Sequence, residues 1–142
     1  MNKSLSRATV SLAMAKAMAA EAEKKAIEIS VPVVISIVDG GAHTLLLQRM
    51  DNALVTSCDI SLNKAWTACC MKQPTHALTE VVQPGQSLYG LALTNQQRIV
   101  IFGGGFPIME KGEIIGAIGV SGGTVEQDME IASAALDYFK KN

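Results

Sequence analysis

Between Pro32 and the turn-forming triplet Asp39-Gly40-Gly41 the chain runs Val33-Val34-Ile35-Ser36-Ile37-Val38. No other stretch limits the fold as strongly. β-Branched side chains lose rotamer freedom in a helix and fit a pleated surface, so this segment reads as a buried strand. Pro32 marks its start, because the ring disfavours helix in the residue before it. Asp39-Gly40-Gly41 supplies turn chemistry, and Thr44-Leu45-Leu46-Leu47-Gln48 then returns as a second strand. The two predict a β-hairpin.

Helical segments surround this hairpin. Leu5, Ala8, Leu12, Ala15, Ala19, Ala22, Ala26 and Ile29 recur at steps of three and four, which predicts one helix over residues 4–29. Its stripe is mostly alanine and invites close packing. Ser57 is the expected N-cap of a second helix running to Met71, with Asp59 favourable in the first turn. Residues 73–97 have weak periodicity and read as an irregular excursion with short helical turns. Arg98-Ile99-Val100-Ile101-Phe102 looks like a strand. Gly103-Gly104-Gly105-Phe106-Pro107 reads as a flexible loop whose glycines let another part of the chain approach closely. Ile108–Glu110 and Glu113–Val120 flank Lys111-Gly112 as a further hairpin. Thr124 and Gln127 form a capping box for a final helix whose apolar face is Val125, Met129, Ala132, Leu136 and Phe139. Lys140 and Lys141 suit its C-terminal dipole. This order predicts an α+β domain, an antiparallel sheet with helices packed on its faces, over residues 1–142.

Composition narrows the function. Hydrophobic residues at 49% and charged residues at 18% describe a folded chain, and a net charge of −1 gives no footprint for nucleic acid or an anionic membrane. Lys3 and Arg7 precede a loosely signal-like run, Ala8 to Ala15. Lys16, Glu21, Glu23, Lys24 and Lys25 interrupt it and no cleavage site follows. The expectation is a soluble, cytoplasmic protein. Cys58, Cys69 and Cys70 do not make a disulfide framework and fit a reducing compartment.

Four sets of residues could carry chemistry. Gly119-Val120-Ser121-Gly122-Gly123-Thr124, between a strand and a helix, could hold an anion on backbone amides. Glu126 and Asp128 already satisfy that positive end, which favours a tight turn with a self-capped helix. Asp39, His43, Arg49, Asp51 and Lys64 form a polar group in which Arg49 could grip a carboxylate and Lys64 add a point charge. The plain alternative is an ion network that fixes a loop. His43 and His76, the two histidines, are the candidate axial ligands of a haem or corrinoid metal, although a lone histidine near a turn is more often a solvated side chain. No nucleophile elbow occurs, and nothing places a serine beside either histidine. Cys69-Cys70 read as core.

Taken together, Val-Val-Ile-Ser-Ile-Val-Asp-Gly-Gly (33–41), Gln-Arg-Met-Asp-Asn-Ala (48–53), Asn-Lys-Ala-Trp-Thr-Ala (63–68), Gly-Gly-Gly-Phe-Pro-Ile (103–108) and Gly-Glu-Ile-Ile-Gly-Ala-Ile-Gly-Val-Ser-Gly-Gly (112–123), followed by Gln127-Asp128, form a joint pattern covering nearly the whole chain. It resembles the GlcG/HbpS-like family, which includes the C-terminal domain of PduO-type cobalamin proteins, and within it the type found in bacterial glycerol-utilisation clusters. The resemblance implies a profilin-like three-layer α/β/α fold with a five-stranded antiparallel sheet. It also implies homo-oligomers, for which the alanine-rich first helix offers a close-packing surface. Some relatives bind haem, and others sit beside cobalamin adenosylation, whose helical ATP-binding domain this chain is expected to lack. The implied function is a small accessory protein binding haem or a corrinoid in B12-dependent glycerol or diol metabolism, without catalytic machinery of its own. A binder, sensor or enzyme for a small organic acid or aldehyde, and a structural oligomer with no ligand, stand as alternatives. The implied pocket uses Gly104, Gly105, Phe106 and Pro107 with Phe102, and the polar residues Arg49, Asp51 and Lys64.

Overall fold

The computed structural model describes residues 1–142. Helix α1 (Leu12–Glu28) leads into strands β1 (Val34–Asp39) and β2 (Thr44–Arg49). Helix α2 (Thr56–Met71) follows, then 3₁₀ turns at Thr75–Leu78, Leu91–Leu93 and Asn95–Gln97. Strands β3 (Gly105–Glu110) and β4 (Glu113–Ser121) and helix α3 (Val125–Lys141) complete the chain. The expected β1–β2 hairpin is present, with Ile35 opposite Gln48.

The sheet is antiparallel throughout, in the order β2-β1-β4-β3. Helix α2 covers one face, against β1, β3 and β4, while α1 and α3 pack together on the other. The larger core lies on the α1/α3 face, where Ile35, Ile37, Ile118 and Val120 meet Met18, Ile131 and the helix alanines. The smaller core lies under α2 and joins Val38 and Ala117 to Ala65, Ala68 and Cys69.

Two glycines set how closely α2 lies on the sheet. Gly105 and Gly119 face each other across β3 and β4. A methyl group at Gly119 would run into the Ser61 carbonyl oxygen, and one at Gly105 into the Lys64 carbonyl oxygen. The helix backbone therefore rests directly on the strands, which only side-chain-free positions permit.

Five expectations are corrected. The sheet has four strands, not five, because residues 98–102 form none. Hydroxyls from outside the sheet engage that backbone: Thr67 Oγ1 donates to the Arg98 carbonyl and accepts from the Val100 amide, and Thr79 Oγ1 donates to the Ile101 carbonyl. Gly105, Phe106 and Pro107, expected in a flexible loop, open strand β3. Helix α1 begins at Leu12 rather than residue 4, with the Ser11 hydroxyl accepting from the Met14 amide at 3.2 Å. The residues before it form an arm pinned to the sheet end: Arg7 Nη1 donates to the Gly40 carbonyl at 2.9 Å, and the Val10 amide to the Ile115 carbonyl at 2.8 Å. Ser57 does not cap α2. It lies inside the helix, and its hydroxyl bonds the Ser121 hydroxyl at 3.0 Å. The alanine stripe of α1 is not an outer surface either, because Ala15, Ala19, Ala22 and Ala26 are all buried within the protomer.

Candidate functional site

Lys64 is the largest fully buried side chain of the protein. It rises from the middle of α2 beside the two strand glycines. Its ammonium donates to Asp128 Oδ2 and to the Val120 carbonyl, each at 2.9 Å. It also sits 5.2 Å from the Phe102 ring centroid, within cation–π range. Asp128 Oδ1 in turn accepts the Gly123 amide at 2.9 Å. Burial pushes the Lys64 pKa down and the Asp128 pKa up, while the attraction between them opposes both changes. Gly104 adopts φ +123°, and a methyl there would come 2.6 Å from the Lys64 nitrogen. Lys64, Phe102, Gly104 and Gly105 are thus brought together around an ion pair that locks the β4–α3 turn to α2.

Next to this assembly, along the free edge of β3, opens a cleft of 370 Å³. Its walls are Phe106, Pro107, Met109, Leu136, Phe139 and Pro74, with Lys72 and Lys140 at the rim. Phe106 and Pro107 come from the first residues of β3, and Leu136 and Phe139 from the last turns of α3. The His76 ring leans on the Phe106 ring, centroids 5.6 Å apart and tilted by 56°. Apolar walls with a few convergent polar groups are the usual make-up of a small-molecule site.

The remaining candidates lie elsewhere. Arg49 and Asp51 are exposed at and just beyond the end of β2, the opposite edge of the sheet from β3. Three strand spacings, about 14 Å, separate the two edges. His43 belongs to the β1–β2 turn, where Nδ1 lies 3.3 Å from Asp39 Oδ1 and that same carboxylate oxygen accepts the Gly41 and His43 amides. These bonds outweigh the opposing effect of burial and hold the Asp39 pKa below the usual carboxylate value. The polar group expected from Asp39 to Lys64 therefore divides among three places. Sequence reasoning had not assigned Lys72, Pro74, Met109, Leu136, Phe139 or Lys140 to a site. The available signal was that Leu136, Phe139 and Lys140 extend one face of α3 past the buried Ala135.

With this fold and cleft, the chain belongs to the HbpS-like family: the family model described as haem degrading protein HbpS-like matches residues 10–137. Over 141 residues it is 67% identical to an uncharacterized 15.0 kDa protein in the dhaT-dhaS intergenic region of Citrobacter freundii, covering 99% of each chain. The crystal structure of Klebsiella pneumoniae protein ORFY superposes with a TM-score of 0.98 at 64% identity, over 100% of this chain and 98% of that one. A PduOC:heme complex superposes with a TM-score of 0.89 at 43% identity, over 91% and 94%.

Proposed function

We propose that the protein is a small haem-binding accessory protein, and that the cleft on the β3 edge is where the tetrapyrrole sits. The observation that carries this is the His76–Phe106 contact beside an aromatic-walled cleft rimmed by two lysines. A haem needs flat apolar cover, cations for its propionates and a nitrogen ligand for iron, and the residues fit those needs. Phe106, Phe139, Leu136 and Met109 supply the cover. Lys72 and Lys140, neither paired to a carboxylate, supply the cations. His76 is the exposed imidazole next to the wall. Similarity to a protein solved with haem supports the same choice of ligand. The bound haem would bring a redox-active iron, and the protein's own part is to hold it and exclude water from one face. A corrinoid is the alternative tetrapyrrole for the same cleft. The reading places the protein as an accessory to B12-dependent glycerol or diol metabolism, in keeping with the glycerol-cluster type that its motifs resemble.

The test is a haemin titration followed by visible absorption, with cobalamin in parallel. A saturable, shifted Soret band that His76→Ala removes and His43→Ala leaves intact is the expected result. A spectrum equal to that of free haemin, or one insensitive to His76→Ala, overturns the assignment.

The protein is also proposed to self-associate. Residues 81–97 contain no charged side chain, yet Tyr89 is 69% and Leu93 75% exposed. Charge depletion around exposed aromatic and aliphatic groups is the composition of an interface centre.

A further inference from the structure

A second cleft, of 590 Å³, opens where the N-terminal arm crosses the end of the sheet. Arg7 of the arm and Lys72 at the end of α2 both line it, and Leu5, Met109 and Ile114 provide apolar surface. Neither cation is within ion-pair distance of a carboxylate. Arg7 is held in place, because its Nη1 donates to the Gly40 carbonyl at 2.9 Å and the Gly40 amide donates to Thr9 Oγ1 at 2.9 Å. A guanidinium has five donor hydrogens, so most of its capacity stays free toward the cleft. Lys72 is fixed at its base, since its backbone closes α2 in the left-handed conformation, φ 57° and ψ 34°. Glu113 is the one acidic side chain of the lining.

We propose that this cleft binds a small amphipathic monocarboxylate, with the carboxylate between Arg7 and Lys72 and a short alkyl chain on Leu5, Met109 and Ile114. The lining favours a carboxylate over a neutral molecule because it carries two cations without carboxylate partners beside apolar surface. A planar guanidinium matches a carboxylate with two parallel hydrogen bonds. A dianion is less well matched, because Glu113 leaves the lining with a net charge of only +1. The site overlaps the haem cleft at one corner, so the two ligands would compete for Lys72, and the test uses the haem-free protein. Lys72 and Met109 border both clefts, whereas Arg7 and Glu113 border this one alone.

The experiment is isothermal titration of the haem-free protein with butyrate, hexanoate and 1-hexanol. Saturable binding of hexanoate, weaker binding of butyrate and none of 1-hexanol is expected. Arg7→Gln weakens hexanoate about tenfold, the loss of a charge-assisted hydrogen bond. Glu113→Gln tightens it, by removing the repelling carboxylate. Because Arg7→Gln also loosens the arm, the Glu113→Gln variant carries the test should the first prove poorly folded. Absence of saturable binding by either acid overturns the proposal, as does equal binding of 1-hexanol. Indifference of hexanoate affinity to both substitutions does the same.

Discussion

Lys64 Nζ and Asp128 Oδ2 lie 2.9 Å apart, with the lysine side chain 1% and the aspartate side chain 4% exposed. Through this contact α2, on one face of the sheet, holds the start of α3, on the other. Removing two charges from water costs several kcal/mol each, so the pair is not simply a source of stability. Its bonds also reach the Val120 carbonyl and the Gly123 amide, which fixes the turn between β4 and α3. Beyond that turn, α3 runs on to carry Leu136 and Phe139 into the aromatic cleft.

Lys64→Met leaves Asp128 buried without its cation. We expect about 3–5 kcal/mol lost at pH 7, the usual consequence of orphaning one member of a buried pair. Burial already pushes the Asp128 pKa above its ordinary 3.8, and Lys64 opposes that. Without Lys64 the folded-state pKa rises further. The folded state then holds the proton more tightly than the unfolded state. Its stabilising effect is complete below the unfolded pKa and is lost as pH rises through the folded one. Denaturant unfolding of Lys64→Met should therefore show stability falling from near pH 4 toward neutrality. Lys64→Met/Asp128→Asn should lack that slope while keeping an acceptor for the Gly123 amide.

The glycine pair under α2 gives a stability prediction. Gly119→Ala drives a methyl into the Ser61 carbonyl, and Gly105→Ala drives one into the Lys64 carbonyl. Both obstacles are backbone, which cannot swing aside. Each substitution should cost about 3 kcal/mol or more, the upper end for overpacking. Gly85→Ala meets open space and has only its φ of +83° against it. It should cost about 1–2 kcal/mol, as for other left-handed positions. Urea unfolding of the three variants ranks them.

Self-association through residues 81–97 makes its own prediction. Tyr89→Glu and Leu93→Lys place a charge where the proposed interface would have to desolvate it, which is costly when nothing pairs with it. Light scattering after size exclusion should report a smaller particle for Tyr89→Glu/Leu93→Lys than for the wild type. Circular dichroism should not change, because both side chains already face solvent. An unchanged mass for the double variant assigns the contact to another surface.

The hairpin, the capping box and the final helix were legible because each is local. A β-branched run, a Thr-x-x-Gln pair and a regular apolar face need no partner to be recognised. The segment Arg98–Phe102 has the same β-branched signal and is not a strand, since Thr67 and Thr79, distant in sequence, engage its backbone. Burial of Lys64 was equally invisible, for its aspartate lies 64 positions away. Glycines 104 and 105 stood out correctly as points of close approach, and what approaches them is Lys64. Of the cleft, Phe106, Pro107 and the neighbouring His76 could be named. Lys72 and Lys140 could not, because an exposed lysine carries no sign of the wall beside which it will stand.

Those two lysines provide the remaining prediction. They stand at the rim of the aromatic cleft and have no carboxylate partner. Haem propionates are the charges that would meet them. Exposed ion pairs contribute about 0.2–1 kcal/mol each, so Lys72→Gln/Lys140→Gln should weaken haemin binding about fivefold. The loss should shrink as salt is raised from 0.05 to 0.5 M, where exposed charges are screened within roughly 4–14 Å. Phe139→Ala removes apolar cover instead, and its effect should survive the same salt increase. Visible titrations at both ionic strengths separate the two contributions. A salt-independent loss in the lysine double variant would place the propionates elsewhere, while leaving the apolar wall and His76 in place.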